Sequence, residues 1–224
     1  LVDYESLIQN DATEQVSDMD VYNMMTGLDS TYFTSGTDYR YSNTGYALLA
    51  MIVEEKSGFT FAEFLEENIF LPLGMNNSVA HQNGISTVSN RAYGYSHNGN
   101  GFRRDDQSLT SAVLGDGGIY TSLNNMFHWD QSLYTDTLVP FEILSEAFTS
   151  GELSNGEKIG YGFGWRVDSY FYRDRVHHTG STRGFRNVLM RFPNQHISIL
   201  ILTNRNSGSP INIAEKIADY LFNA

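Results

Sequence analysis

Residues 185–203 read FRNVLMRF-PNQ-HISILILT, and this stretch decides the fold class. Two runs of aromatic and branched aliphatic residues, 185–192 and 196–203, flank Pro193-Asn194-Gln195. A short turn-forming tripeptide between two such runs predicts a hairpin, and hairpin strands are antiparallel. Residues 197–202 are continuously apolar, which predicts a strand inside a sheet covered on both faces. Downstream, Ser209-Pro210 opens a helix, with serine as cap and proline at the first helical position. Ile213, Ile217 and Leu221 are its expected buried stripe. Upstream, residues 161–167 and 170–178 are rich in aromatic and β-branched residues and also read as strands.

Before residue 158 the pattern is helical or irregular. Residues 17–25 are helix-compatible, and Gly36-Thr37-Asp38 reads as a turn. Residues 43–57 predict a helix with a broad apolar face from Tyr46, Leu49, Met51, Ile52 and Val53, and Gly58 suits the position just past its end. Thr60 and Glu63 form a capping box for the next helix, whose stripe is Phe61, Phe64, Leu65 and Ile69. Pro72 and Gly74 stop it. Residues 76–112 are loop-like. Ser122 can cap a further helix in which Met126, Trp129 and Leu133 recur with helical spacing. Helices first, antiparallel strands next and one closing helix make an α+β chain. The division expected is 1–157, a mainly helical and loop lobe, and 158–224, the strands and last helix. There is no internal repeat.

Composition narrows the function. Fourteen Lys+Arg against 26 Asp+Glu give a formal net charge of -12, which repels a phosphate backbone and excludes nucleic acid as the expected partner. With no cysteine, disulfides, thiolate nucleophiles and Cys-ligated zinc are ruled out. Residues 46–53 and 197–202 are the longest apolar runs, well short of the roughly 18 residues a membrane span needs.

Generic catalytic signatures are mostly missing. A G-x-S-x-G elbow is absent, and Gly180-Ser181-Thr182-Arg183-Gly184 is off register for it. Neither G-x-x-x-x-G-K-[ST] nor a strand-linked G-x-G-x-x-G occurs. His177 and His178 are adjacent, so on a strand they face opposite sides and do not share a metal. H-E-x-x-H is absent, and no metal or cofactor is expected. S-x-x-K is absent too, because Val53, Asn155 and Ile213 stand three residues before Lys56, Lys158 and Lys216.

Other segments do carry a pattern. Tyr41-Ser42-Asn43-Thr44-Gly45-Tyr46 before a helix resembles the Y-x-N element of the serine β-lactamase and penicillin-binding-protein family. It resembles the version seen in class C β-lactamases, D-alanyl-D-alanine carboxypeptidases, D-aminopeptidases and related esterases. Pro72-Leu73-Gly74-Met75 resembles its P-L-G-M, residues 117–122 its G-G-[LI]-x-S-T, and residues 161–165 its Y-G-x-G-W. His178-Thr179-Gly180, with Gly184-Phe185 after it, resembles the H-x-G form of the third motif. Phe192-Pro193 and Leu202-Thr203-Asn204 complete a series in family order, and Leu1-Val2-Asp3-Tyr4 resembles the residues just after its H-T-S-G segment.

The resemblance implies a β-lactamase/transpeptidase-like fold, incomplete at its N-terminus, with S-x-x-K upstream of residue 1. It implies an acyl-enzyme hydrolase of esters, amides, D-amino-acid peptides or β-lactams, small molecules or short peptides in every case. Tyr41 would be the acid/base partner of an upstream serine and lysine; a phenol of ordinary pKa near 10 needs positive charge nearby for that work. Asn43 would bind the substrate amide or the lysine, unless it only caps the helix. His178 stands where β-lactamases carry lysine. Being charged only part of the time near pH 7, it points away from β-lactams and toward esters, amides and D-amino-acid substrates. Gly180 lets backbone approach a ligand, and the amide of Ser181 or Thr182 would serve the oxyanion. Read blandly, Tyr41 is an aromatic at a helix entrance, His178 a strand histidine bonded to a neighbour, and Gly180 a strand-end glycine. The chain alone is expected to be inactive, and the intact protein to be exported: periplasmic, secreted or surface-anchored. Two alternatives are a non-catalytic binding or regulatory relative, and a chain completed by a partner. Self-association through an exposed sheet edge would result from missing strands.

Overall fold

The computed structural model describes residues 1–223, with helices α1 (Asp18–Thr26), α2 (Asn43–Ser57), α3 (Phe61–Leu65), α4 (Leu123–Ser132), α5 (Phe141–Ala147) and α6 (Pro210–Asn223). Its strands are β1 (Val79–Ala80), β2 (Tyr95–His97), β3 (Phe102–Arg104), β4 (Ile119–Tyr120), β5 (Arg166–Tyr170), β6 (Arg173–Thr182), β7 (Phe185–Phe192) and β8 (Ile197–Thr203). Two compact units result, one of residues 1–91 with 108–132, the other of residues 92–107 with 133 onward. The second unit therefore takes in residues 92–107 and 133–157 as well as the strands. Local bonds hold them there: Tyr95 bridges Arg205, and the Tyr134 and Phe148 rings lie against Arg191.

The first unit is helical. Ser17 and Asp20 close a capping box on α1, and Thr60 and Glu63 close the expected one on α3. Helix α2 runs over 43–57 as expected and ends on Gly58, whose φ of 76° is the left-handed conformation glycine adopts without strain. Its buried face differs from the one expected. Thr44, Ala47 and Ala50 are inside, whereas Leu49 and Ile52 are exposed. Gly115 explains the choice: a methyl there would lie 2.8 Å from Ala47 Cα and Ala50 Cβ, so loop and helix touch only through small groups. Tyr4, Val16, Val21, Ala47 and Val113 form this core. After α3 the chain makes a π-helical turn, Glu66–Phe70, with Leu71 N–H bonded to Glu66 O at 2.9 Å. Phe70, Met75, Ala80 and Leu114 then close a second cluster. The region 76–112 expected to be loop holds three short strands: β1, which pairs antiparallel with β4, and β2 and β3, which pair antiparallel with each other in the second unit.

The second unit centres on an antiparallel sheet of order β5-β6-β7-β8, and the 185–203 hairpin supplies β7 and β8. Val188, Met190, Phe192 and Ile199 pack against Ala214 and Ala218 of α6. The expected stripe of α6 is thus corrected: Ile213, Ile217 and Leu221 stay 49%, 40% and 45% exposed. Both arcs of this helix are apolar, so spacing alone does not choose between them. The alanine arc wins because it brings the helix axis close to the sheet. β8 also departs from expectation. It lies at the edge of the described sheet, with Ser198 and Leu202 exposed. Of the run 161–167 only Arg166 and Val167 join β5, and the run 170–178 is broken by a turn. Phe171 and Tyr172 make that turn at φ 49° and 58°, a conformation costly for bulky residues.

On the α6 side of the sheet, Arg175 is held by both Asp168 oxygens (2.8 and 2.7 Å) and by Glu215 at 2.9 Å. On the other side Arg191 is fully buried, its guanidinium carbon 4.6 Å from the Tyr134 ring centre and 5.4 Å from that of Phe148.

Candidate functional site

In the first unit the Y-x-N segment sits at the entrance of α2. Ser42, not Asn43, is the cap; its Oγ accepts from Gly45 N–H at 3.0 Å. Tyr41 precedes it, 41% exposed as a residue, at the helix end where the backbone dipoles are positive. Asn43 is the first helical residue, and its amide donates to Glu5 Oε1 at 3.3 Å. Thr44 ties this entrance to the start of the chain. Its hydroxyl donates to Val2 O and accepts from Tyr4 N–H, both at 2.9 Å.

An acidic group lies beneath. The Tyr4 hydroxyl donates to Asp116 Oδ2 at 2.7 Å, and Asp18 accepts from the Leu114 and Gly115 amides at 2.7 and 2.9 Å. Burial, with added repulsion from Asp18, Glu5 and Asp3, pushes the Asp116 carboxyl up to about 7 from an ordinary 3.8. Burial first, and then Asp116, push the Tyr4 phenol up. Asp116 therefore binds a proton in the folded chain over a range where the unfolded chain has released it. Stability should be full near pH 4 and fall as pH rises through 7, by up to about 4 kcal/mol from this one group. Asp116→Asn keeps an acceptor for Tyr4 and removes the ionisation. Urea midpoints of the two proteins should nearly coincide at pH 3.5, separate already by pH 5 and differ most by pH 8.5, with the variant more stable. Parallel curves across that range would refute the assignment.

In the second unit His178, Gly180, Ser181 and Thr182 lie in succession along β6. His178 and Gly180 project to one face, opposite Leu189 and Asn187 of β7. His177 projects to the other, 3.5 Å from Asp168. The His178 Nδ1 lies 2.8 Å from the Thr179 carbonyl, and Nε2 lies 3.0 Å from the Tyr161 hydroxyl. Burial lowers the His178 pKa below its usual value, the Thr179 carbonyl opposes this, and the Arg166 charge adds to it. A methyl on Gly180 would fall 2.7 Å from Asn187 Nδ2 and 2.8 Å from its Cγ, so this glycine makes room for the cross-strand amide. Ser181 and Thr182 are exposed and lead into the β6–β7 turn.

Two residues at this face escape sequence reasoning. Tyr161 belongs to a strand-like run and to Y-G-x-G-W, which give it no partner. Asn187 is one residue of a strand-like run among others. Register would have placed Asn187 beside Gly180, since the short β6–β7 turn fixes Thr182 opposite Phe185. Nothing in the sequence signals the Tyr161–His178 bond across 17 positions.

Known proteins resemble the chain in both sequence and fold. It is 31% identical to Penicillin-binding protein 4* of Bacillus subtilis over 219 residues, covering 85% of this chain and 49% of that protein. It is 26% identical to the D-aminopeptidase of Gluconobacter oxydans, covering 90% of this chain and 38% of that one. The chain thus spans about half, or less, of the curated relatives it matches. The octameric penicillin-binding protein homologue from Pyrococcus abyssi superposes with a TM-score of 0.82 at 22% identity, over 97% of this chain and 50% of that one. D-amino acid amidase from Ochrobactrum anthropi does so with a TM-score of 0.80 at 17% identity, over 99% and 68%. The fold is β-lactamase/transpeptidase-like, helices with antiparallel sheet. Residues 12–222 match the Beta-lactamase family, and the chain belongs to it.

Proposed function

We propose that this chain carries the second and third active-site elements of a serine hydrolase that works through an acyl-enzyme. The supporting observation is that a family match over residues 12–222 coincides with Y-x-N at the head of α2 and H-x-G along β6. The nucleophilic serine and its lysine belong to an S-x-x-K segment outside these 224 residues, none of whose lysines comes three positions after a serine. Serine attacks the acyl carbon while lysine and Tyr41 pass its proton to the leaving group. The positive end of α2 and the lysine favour the Tyr41 phenolate. Asn43 holds the substrate amide once its bond to Glu5 is exchanged. Gly180 admits the substrate backbone, and the Ser181 or Thr182 amide faces the oxyanion. A neutral histidine at the third motif favours esters, amides and D-amino-acid peptides over β-lactams. β8 lies at the edge of the described sheet and is largely apolar, which supports pairing with another segment or copy.

A fluorophosphonate probe tests this reading. The 224-residue chain should take no label, and a longer protein containing it should be labelled at one serine, in S-x-x-K. Label on any serine of this chain would overturn the assignment.

A further inference from the structure

Two bonds decide what His178 can offer. The Thr179 carbonyl has only lone pairs, so the nitrogen 2.8 Å from it, Nδ1, carries the ring hydrogen. In the neutral ring Nε2 then holds a lone pair, and the Tyr161 hydroxyl 3.0 Å away donates to it. The Tyr161 ring stands edge-on to the imidazole, with centroids 6.0 Å apart and planes at 79°, which limits rotation of the ring. Tyr161 itself is only 8% exposed. It is anchored because Gly162 N–H bonds Trp165 O at 2.8 Å and Gly151 N–H bonds Tyr161 O at 2.8 Å. Neither partner of His178 can swing away cheaply: one is strand backbone, the other a buried ring.

We propose that Tyr161 is a positioning residue: with the Thr179 carbonyl it holds the His178 ring in one orientation with both ring nitrogens engaged, so the ring has no N–H left for a substrate anion and this position selects substrates that carry none there. The proposal rests on the hydrolase reading of the site and adds to it the residue that sets its specificity. A free surface histidine would exchange tautomers and present a donor or a cation to a substrate carboxylate. A ring fixed in this way has no N–H to spare for a carboxylate. The Arg166 charge on β5 acts on both His178 and His177, and His177, on the opposite face, also lies 3.5 Å from Asp168. Lowering of the His178 pKa by burial works in the same direction.

The test begins on the 224-residue chain. Long-range ¹H–¹⁵N spectra from pH 7.5 to 8.5 should show His178 as the Nδ1–H tautomer with a hydrogen-bonded Nε2. Tyr161→Phe should change the Nε2 shift and introduce the second tautomer while the other histidines stay put. An averaged or Nε2–H ring in the unaltered chain overturns the proposal even if the variant fails to fold. Unchanged ring shifts in a folded Tyr161→Phe protein do so as well. In the longer protein, an ester without a carboxylate should be preferred over its carboxylate-bearing analogue by about tenfold or more in kcat/KM. His178→Lys should reduce or reverse that ratio. A preference for the carboxylate analogue by the unaltered enzyme refutes the specificity claim. Absence of all hydrolysis refutes the hydrolase reading and leaves the tautomer result standing.

Discussion

Tyr41→Phe in the longer protein should lower kcat/KM by about 10² to 10⁴ while leaving the fold intact. The substitution removes one oxygen from a residue that is 41% exposed at the entrance of α2. Packing loss there is small, and exposed substitutions of this kind stay within about 0.5 kcal/mol of stability. Catalytic loss is of another order, about 3–5 kcal/mol of barrier, because no neighbouring group replaces a phenol that must take and return a proton within each turnover. Asn43 and Ser42 carry amide and hydroxyl functions that do not titrate in the working range. Tyr41→Phe should also flatten the limb of the pH–rate profile that belongs to the phenol, whereas a positioning defect would lower the whole profile in parallel. Fluorophosphonate labelling should slow by a similar factor, since it too requires deprotonation of the serine. A loss of under threefold in kcat/KM with normal thermal unfolding would remove Tyr41 from the chemistry.

Where one local rule sufficed, the sequence was legible. Helix α2 starts after Ser42 and stops at Gly58 because cap and left-handed glycine each act within a turn. The β7–β8 hairpin and the Thr60–Glu63 box are local in the same sense. Choices between equivalent patterns were not legible. On α6 the arcs Ile213/Ile217/Leu221 and Ala214/Ala218 share one spacing, and the sheet selects the smaller residues. On α2, Gly115 selects Ala47 and Ala50 over Leu49 and Ile52 from 65 or more positions away in the chain. The proposed site residues divide likewise. Tyr41, Asn43, His178 and Gly180 could be named from motifs, but the Glu5 partner of Asn43, the Tyr161 partner of His178 and the Asn187 amide over Gly180 arise from long-range contact. The raised Asp116 carboxyl depends on burial against Tyr4, 112 positions away.

Gly184→Ala should destabilise the 224-residue chain by about 3–5 kcal/mol, more than an ordinary core truncation of one methylene. Gly184 closes the β6–β7 turn and is buried. Its N–H bonds Asp105 O at 2.8 Å, and the segment it meets is itself fixed, with Asp105 N–H on Gly94 O at 2.8 Å and Gly94 N–H on Asp106 Oδ1 at 2.9 Å. A methyl at 184 would press on Tyr95 N and Gly94 C and stand 2.5 Å from Asp105 O. Every one of these obstacles is backbone, so no rotamer change relieves the clash. Either the turn lifts off residues 94–105 and loses the Gly184–Asp105 bond, or the 94–105 segment moves and strains β2. An overpacking cost of about 1–3 kcal/mol then adds to that of a buried amide and carbonyl left unpaired, about 1–3 kcal/mol. Gly117→Ala is the matched control: nothing lies within 4 Å of a methyl there, and its φ is not in the left-handed region. That variant should fall within about 0.5 kcal/mol of the unaltered chain. Because Ser181 and Thr182 lie just before the turn, the same displacement should shift their amide resonances, tying a packing defect to the proposed oxyanion donors. Unfolding free energies from urea melts of Gly184→Ala and Gly117→Ala that agree within about 1 kcal/mol would mean that the turn does not lean on residues 94–105 as described.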